Sequence, residues 1–112
     1  MARPPAVIDV FSAIGHPRRR ELVSVLADGD KPVSELVNAL GVAQSTVSEH
    51  LGILRDVGLV ESERSGREHI YRFDPTPLRD VTEWMNELKV FWDDRFQRLA
   101  VLLETLDKED TP

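Results

Sequence analysis

The sequence contains no cysteine and only three histidines among its 112 residues. Without cysteine, the chain has no disulfide, no thiolate ligand for a metal and no thiol nucleophile. It also lacks a glycine-rich phosphate-binding loop, and His16, His50 and His69 fall on different predicted elements without an evident carboxylate partner. We therefore predict that the protein is not an enzyme.

Long hydrophobic runs are also missing. No apolar run approaches the roughly 20 residues that a membrane-spanning helix requires. The opening residues MARPPAVIDV lack the long apolar region of a signal peptide. We therefore expect a cytoplasmic protein with no membrane partner. The length supports a single domain over residues 1–112, and because a monomer of this size buries a limited core, oligomerisation is expected.

Positive charge is scarce in the chain as a whole, since 14 Lys and Arg face 20 Asp and Glu and the net charge is −6. The deficit is concentrated near the C-terminus. Residues 1–72 contain nine basic and ten acidic side chains, net −1, whereas residues 73–112 contain five and ten, net −5. A nucleic-acid partner would therefore require a local basic patch, with the acidic C-terminal segment turned away from phosphate.

Apolar residues recur at helical or alternating spacing along most of the chain, and glycine or proline marks the ends of the periodic stretches. The predicted helices cover residues 6–14, 17–28, 32–40 and 44–56, the predicted strands cover 59–64 and 68–73, and a last helix runs from 76 to about 107. Gly41 is expected to be left-handed, and Thr76 to cap the last helix with Pro77 in its first turn. The predicted class is mainly α with a small β-hairpin, an α+β fold.

The last predicted helix carries an apolar residue every three or four positions from Leu78 to Leu106. Such a stripe is typical of coiled coils, and the small domain that precedes it cannot bury all of it. We therefore predict a homodimer, with dimerisation helices at about 6–14 and 76–107 flanking a winged core at about 16–73. The candidate interface residues are Phe11, Met85, Leu88, Trp92, Phe96 and Leu99.

The predicted order of helices, turn, helix and hairpin is that of a winged helix-turn-helix. Five sequence blocks strengthen this interpretation: HPRRREL from His16, PVSEL from Pro32, QSTVSEHL from Gln44, LRDVGLV from Leu54 and GREHIYR from Gly66. In these blocks, which occur in the right order, the chain resembles the ArsR/SmtB family of bacterial transcriptional repressors. The resemblance covers about residues 8–106.

This resemblance implies that the helix over residues 44–56 enters the major groove of DNA. Glutamine can form two hydrogen bonds with adenine, and hydroxyl groups reach base edges or phosphates. The residues that match the family's contact positions are Gln44, Ser45, Thr46, Ser48 and His50. The three hydroxyl residues could instead cap and solvate a helix start, and His50, at the edge of the buried face, could be a structural histidine.

Arginines supply the positive charge that such a surface needs. Arg64 and Arg67 match the family's wing and would touch the DNA backbone or the minor groove. Arg18, Arg19 and Arg20 offer a second basic cluster, in which Arg18 and Arg19 are the candidates for phosphate contact. One of the three could instead pack its aliphatic stem on the core or pair with an acidic neighbour.

Two residues depart from the family's pattern. Ala43 stands where the family commonly has a hydroxyl cap, and Glu49 places a negative charge in the recognition helix. Glu49 would repel phosphate unless it accepts a hydrogen bond from a cytosine amino group or pairs with an arginine. We therefore expect a modest affinity for DNA.

Many members of this family release DNA when metal binds to thiolates on the third helix or to His and carboxylate ligands on the last. Here cysteine is absent and the last helix has no histidine, so neither ligand set is complete and we predict no metal site and no required cofactor. Asp80, Glu83 and Glu87 are expected to form a solvated helix face. The alternative is a weak nickel or zinc site that combines carboxylates with a histidine.

The sequence thus predicts a homodimeric bacterial transcriptional regulator, a repressor by resemblance, that binds an inverted-repeat operator in double-stranded DNA. A small-molecule or metal effector is expected to regulate it, and Trp84, Phe91 and Trp92 could line an apolar effector pocket at the dimer seam. One alternative is a nickel- or zinc-linked regulator that also uses a partner protein. Another is a winged-helix protein-interaction module that does not bind DNA, which the net acidity and Glu49 favour.

Overall fold

The computed structural model describes residues 9–109, which form six α-helices, three short strands and a 3₁₀ turn. In chain order these are α1 (Val10–Ile14), α2 (Pro17–Ala27), β1 (Lys31–Pro32), α3 (Val33–Leu40), α4 (Gln44–Asp56), β2 (Val60–Ser65), β3 (Glu68–Phe73), the 3₁₀ turn (Thr76–Leu78), α5 (Arg79–Glu87) and α6 (Lys89–Glu109). The predicted class, mainly α with a small hairpin, is confirmed. None of these helices has the length and apolarity that crossing a membrane requires.

The chain divides into two compact units between Val81 and Thr82. The core of the first unit consists of aliphatic side chains from α1 to α4 and from the start of the hairpin. Its buried residues are Val10, Ala13, Leu22, Leu26, Leu36, Leu40, Val47, Leu51, Leu54, Leu59 and Val60. Burial of each larger side chain contributes about 1.5–3 kcal/mol, so α2, α3 and α4 are held as one rigid support for whatever α4 presents outward.

Side-chain caps define the starts of α1 and α2. Asp9 is extended, with φ −115° and ψ −177°, and its Oδ1 accepts a hydrogen bond from the Ser12 N–H at 2.9 Å. The helix therefore begins at Val10, later than the predicted start at residue 6; residues 6–8 lie outside the described part of the chain. His16 caps α2, since its Nδ1 accepts from the Arg18 N–H at 3.1 Å. Pro17 occupies the first turn, as predicted.

The turn between α3 and α4 has the predicted left-handed glycine. Gly41 has φ 67° and ψ 27°, and its N–H donates to the Val37 carbonyl oxygen at 2.9 Å. Side chains other than glycine pay an energetic penalty in this conformation. The sharp turn separates α3 from α4, and α4 begins three residues after Gly41.

The sheet differs from the sequence prediction in two respects. β1 was not predicted; it pairs antiparallel with β3, so the sheet has three strands in the order β1-β3-β2. A two-residue strand that contains Pro32 carries almost no strand signal, and a proline without an N–H fits an edge position. The first hairpin strand covers Val60–Ser65, one residue later than predicted, and Gly66 at φ 64° forms the turn.

The last helical region is not one continuous helix, which corrects the sequence prediction. The Asp74 Oδ1, not the Thr76 side chain, accepts a hydrogen bond from the Thr76 N–H at 2.9 Å, and a 3₁₀ turn precedes α5. A second interruption lies at Leu88, where the Leu88 N–H donates to the Met85 carbonyl oxygen at 3.1 Å before α6 begins. The predicted stripe is thus divided between α5 and α6.

Restoring a capping hydroxyl at position 43 is expected to stabilise the protein. Ala43 is extended, with φ −61° and ψ 147°, and its side chain makes no capping hydrogen bond to the first turn of α4. In Ala43→Ser, the hydroxyl can accept from a first-turn N–H, so urea unfolding at fixed protein concentration should show a gain of about 0.5–2 kcal/mol. The matched control, Ala39→Ser on the exposed side of α3, should give no gain because that position is inside a helix. Equal effects of both changes would contradict the prediction.

Candidate nucleic-acid interface

Helix α4 has its apolar and polar side chains on opposite sides. Its buried residues, Val47, Leu51 and Leu54, face the core. On the other side, Gln44, Ser45, Ser48 and Glu49 are exposed, whereas Thr46 and His50 are half-buried. The N-terminal turns of α4 therefore present an amide and hydroxyl groups to the surroundings, with one carboxylate among them.

The three consecutive arginines at the start of α2 have different environments. The Arg18 Nη1 pairs with the Glu21 Oε2 at 3.2 Å on the surface. The Arg20 Nη1 donates to the Ile14 carbonyl oxygen at 2.8 Å. Arg19 is half-buried and donates to carbonyl groups of α1. The acidic partner considered in the sequence analysis is thus present for Arg18, whereas packing of an arginine stem on the core and phosphate contact by Arg18 and Arg19 stay predictions.

His50 lies against the start of α2. Its ring centroid is 4.5 Å from that of His16, with the planes tilted by 46°, and its Nδ1 is 3.4 Å from the Arg19 Nη1. Burial lowers the pKa of His50 below 6.5, and the positive charges of His16 and Arg19 act in the same direction. This cluster brings together residues 31 positions apart in the chain, so no local sequence pattern predicts it.

The strand register gives the wing two different faces. Directly opposed residues of an antiparallel pair lie on one face of the sheet. Arg64 pairs with His69, Ser62 with Tyr71, and Val60 with Phe73. These pairs are two residues apart along each strand, so they lie on one face of the sheet, and Val60 is buried in the core. Arg64, His69 and Ser62 therefore share the face that continues onto the core. His69 was not predicted as part of this surface, because the predicted strand bounds, 59–64 and 68–73, oppose Arg64 to Glu68, whereas the observed register pairs Arg64 with His69.

The opposite face of the wing is acidic with one embedded cation. Glu61 pairs with Arg72 in the register, and Glu63 lies on the same face. The Arg72 Nε is 3.2 Å from the Asp30 Oδ2, and its Nη2 is 3.9 Å from the Glu63 Oε2. The hydrogen bond that Arg72 donates to the Asp30 carboxylate, together with the negative charge of Asp30, raises the pKa of Arg72. Because Arg72 is engaged with these carboxylates, this face offers little free positive charge to a phosphate.

A hydrogen bond that sequence reasoning missed connects α4 to the wing. The Arg55 Nη1, in the last turn of α4, donates to the Ser62 Oγ at 3.2 Å. The predicted wing arginines, Arg64 and Arg67, are both exposed, and the Arg64 Nε donates to the Gly66 carbonyl oxygen at 3.3 Å. The first unit thus carries the predicted helix and the predicted wing on one rigid body.

The second unit exposes a broad apolar surface. Among the predicted interface residues, Met85 is 52% exposed, Trp92 38%, Phe96 60% and Leu99 47%. The rings of Trp92 and Phe96 stack with centroids 5.7 Å apart, and the Arg95 guanidinium lies 4.8 Å from the Phe91 ring centroid. Leu88 is half-buried, and Phe11, on α1 in the first unit, is 40% exposed. Surfaces of this kind mark association sites.

Within residues 9–109, no three histidine or carboxylate side chains lie close enough together to hold a metal ion. The carboxylates of α5, Asp80, Glu83 and Glu87, are exposed. Their environment matches the expected solvated helix face. The described part of the chain therefore gives no structural support to a nickel or zinc site.

Comparison with known proteins identifies the family. Residues 16–62 match the family model described as "Bacterial regulatory protein, arsR family". The HTH-type transcriptional regulator Rv2034 of Mycobacterium tuberculosis is 32% identical over 101 residues, which cover 90% of this chain and 91% of that protein. The chain belongs to the arsR family of bacterial regulatory proteins. The sequence-based assignment is confirmed, as is the prediction of a regulatory protein rather than an enzyme.

Two further similar proteins extend this comparison. The biofilm growth-associated repressor of Xylella fastidiosa is 37% identical over 70 residues, which are 62% of this chain and 61% of that protein. The chain therefore spans about three fifths of the length of that relative. The crystal structure titled "Possible transcriptional regulator for arsenical resistance" superposes with a TM-score of 0.69 at 33% identity, covering 85% of this chain and 96% of the other. The winged helix-turn-helix prediction is thus confirmed.

Proposed function

We propose that this protein is a homodimeric DNA-binding transcriptional repressor that reads an inverted-repeat operator. The observation that carries the proposal is the exposed polar N-terminal half of α4, rigidly supported by the core and flanked by the basic start of α2 and the wing, in a member of the arsR family. An α-helix fits the major groove of B-DNA, and residues near its N-terminus contact base edges.

Direct base contacts are assigned to the exposed side chains of α4. Gln44 is placed to form a bidentate pair with adenine, while Ser45 and Ser48 reach base edges or phosphates. Thr46, which is half-buried, is assigned to a backbone contact near the helix start. Glu49 is exposed in the same region and would be tolerated only opposite a cytosine amino group or an arginine, so the affinity is modest.

Contacts to the DNA backbone are assigned to Arg18, Arg64 and Arg67, which are outside the core and carry fixed positive charge. The exposed tip position of Arg67 suits a contact to phosphate or to the minor groove. The acidic face of the wing, with Glu61 and Glu63, is turned away from DNA in this arrangement, because like charges would repel.

A second copy of the chain is the proposed occupant of the apolar surface on α5 and α6. Large apolar side chains recur along α6, and Leu99, Leu103 and Leu106 are each about half exposed in the single chain. Pairing two such surfaces removes them from water. A two-fold dimer presents two copies of α4, so half-sites are expected about one helical turn apart.

Replacing Gln44 by alanine is expected to lower operator affinity and relax base preference at one position in each half-site. Wild-type protein first selects its operator from a random-sequence duplex library; anisotropy titrations with the selected duplex then compare the variants. Loss of one bidentate pair costs about 1–3 kcal/mol, and a dimer on the full operator loses two, so the affinity should fall by about 2–6 kcal/mol, or roughly 30-fold or more. Gln97→Ala, the same change at an exposed position on α6, should have no effect. Failure of the wild type to prefer any duplex would refute the proposal.

Regulation by an effector is also proposed. A groove of about 370 Å³ on the second unit is lined by Met85, Trp92 and Phe96 together with the polar Asn86, Lys89 and Asp93. Its size suits a small ligand. Titrating operator affinity in the presence of a panel of metal ions and small apolar compounds tests this idea.

Recovery of a stable complex with another protein that covers Gln44 would favour the rival function, a protein-interaction module.

A further inference from the structure

The Arg19 side chain spans three helices of the first unit. From α2, its Nε donates to the Ala13 carbonyl oxygen at 2.6 Å and its Nη2 to the Ser12 carbonyl oxygen at 3.2 Å, both at the end of α1. Its Nη1 lies 3.4 Å from the Nδ1 of His50 on α4. One half-buried guanidinium therefore joins the end of α1 to the recognition helix.

The hydrogen bonds in this cluster determine where the imidazole protons lie. A guanidinium has only N–H donors, so the Nδ1 of His50 must accept from Arg19 and carries no proton. The Nδ1 of His16 likewise accepts from the Arg18 backbone N–H. Both Nδ1 atoms therefore act as acceptors, and the two rings lie with centroids 4.5 Å apart.

We propose that Arg19 is a positioning residue that couples α1 to the recognition helix α4 through His50, and that protonation of His50 releases this coupling and weakens operator binding. The inference deepens the proposed function and rests on it, because it concerns how α4 is held for DNA. α1 also carries Phe11, a candidate dimer contact, so the same bridge transmits a change in α1 to α4.

The charges around His50 favour its neutral form. Burial lowers the pKa of His50, positive charge on His16, Arg19 and Arg18 lowers it further, and only Glu49 acts in the opposite direction. α1 contributes carbonyl groups rather than charges to the cluster. The pKa of His50 in the folded state lies below the unfolded value of 6.5. The contribution of neutral His50 to the stability of the fold is therefore complete above about pH 6.5 and is lost as the pH falls through the lowered pKa.

The test compares four variants with the wild type by anisotropy on the selected operator duplex, as a function of pH and of salt. Arg19→Gln removes the bridge. His50→Asn keeps an acceptor near the position of Nδ1 but cannot be protonated between pH 7.5 and 5.5. Arg20→Gln removes a neighbouring tie to α1 without reaching His50. Arg67→Ala shows how the salt dependence of affinity changes when a proposed phosphate contact is removed.

The wild type should lose affinity relative to His50→Asn between pH 7.5 and 5.5 by up to about tenfold for each protomer, because with a pKa below 6.5 the ratio of protonated to neutral His50 at pH 5.5 is at most about ten. Arg19→Gln should bind more weakly at pH 7.5 with an unchanged slope of log affinity against log salt, whereas Arg67→Ala should lower the slope by about two, or about one for each half-site. Arg20→Gln should keep the wild-type pH profile.

An NMR titration of the His50 ring in DNA-free protein provides a second readout. Its pKa should rise in Arg19→Gln, and if this variant unfolds, Arg19→Lys replaces it, since one ammonium group cannot reproduce the fork that reaches both α1 and His50. A reduced salt slope with an unchanged pH profile would show that Arg19 is a phosphate contact and overturn the proposal. Absence of wild-type DNA binding would instead refute the proposed function, and the NMR titration would still decide whether Arg19 controls His50.

Discussion

Replacing Leu99 and Leu103 together by aspartate is expected to convert the proposed dimer into a monomer and to reduce affinity for a full operator about 100-fold or more. The two leucines are four residues apart on α6, so they lie on the same helix face, and they are 47% and 54% exposed in the single chain. Placing carboxylates at the centre of an apolar interface costs several kcal/mol unless they find partners. A dimer that binds two linked half-sites has an affinity about 10² to 10⁴ times that of a single half-site contact, because the second contact forms at a high effective concentration.

Light scattering after size-exclusion chromatography measures the change in mass, and anisotropy compares the full operator with a single half-site. The half-site affinity should remain close to that of the wild type, because neither residue belongs to the unit that carries α4. Val101→Asp is the matched control: Val101 is 63% exposed, and residues two apart on a helix point about 200° apart. A double variant that stays dimeric would show that this apolar face is not the interface.

Leu54→Ala is expected to destabilise the first unit by about 3 kcal/mol, within the range of 2–5 kcal/mol for buried leucines. Leu54 lies on the buried face of α4 and is fully buried, and its carbonyl oxygen accepts from the Leu59 N–H at 3.0 Å, at the point where the chain leaves α4 for the hairpin. Removing the side chain leaves a cavity where α4 meets the start of the wing. Both proposed DNA-contacting elements should therefore lose support together.

Urea unfolding at fixed protein concentration, followed by circular dichroism, measures this effect. Leu54→Met, which conserves most of the volume, should cost less than about 1.5 kcal/mol. At temperatures where Leu54→Ala is still folded, its operator affinity should approach that of the wild type, since Leu54 itself touches no DNA in the proposed complex. A loss in stability below about 1 kcal/mol would mean that the site relaxes around the smaller side chain.

Elements with strong local signals were predictable from the sequence. Helices α2, α3 and α4 agree with the predicted bounds within about one residue, because proline at a helix start and the left-handed Gly41 act through neighbouring residues alone. The polar and apolar faces of α4 were predictable for the same reason. The interruption at Leu88 was not, since residues 79–109 contain neither glycine nor proline and the apolar spacing continues through it.

The sequence by itself determined the winged helix-turn-helix architecture, the arsR family and the exposure of Gln44, Ser45 and Ser48, because each of these depends on periodicity and on short motifs. Only the tertiary structure placed Arg19 between α1 and His50, added β1 to the sheet and separated Arg64 from the acidic face of the wing. These features depend on strand register and on contacts between residues far apart in the chain. The geometry of the packed chain decides them, since no local pattern specifies which distant groups meet.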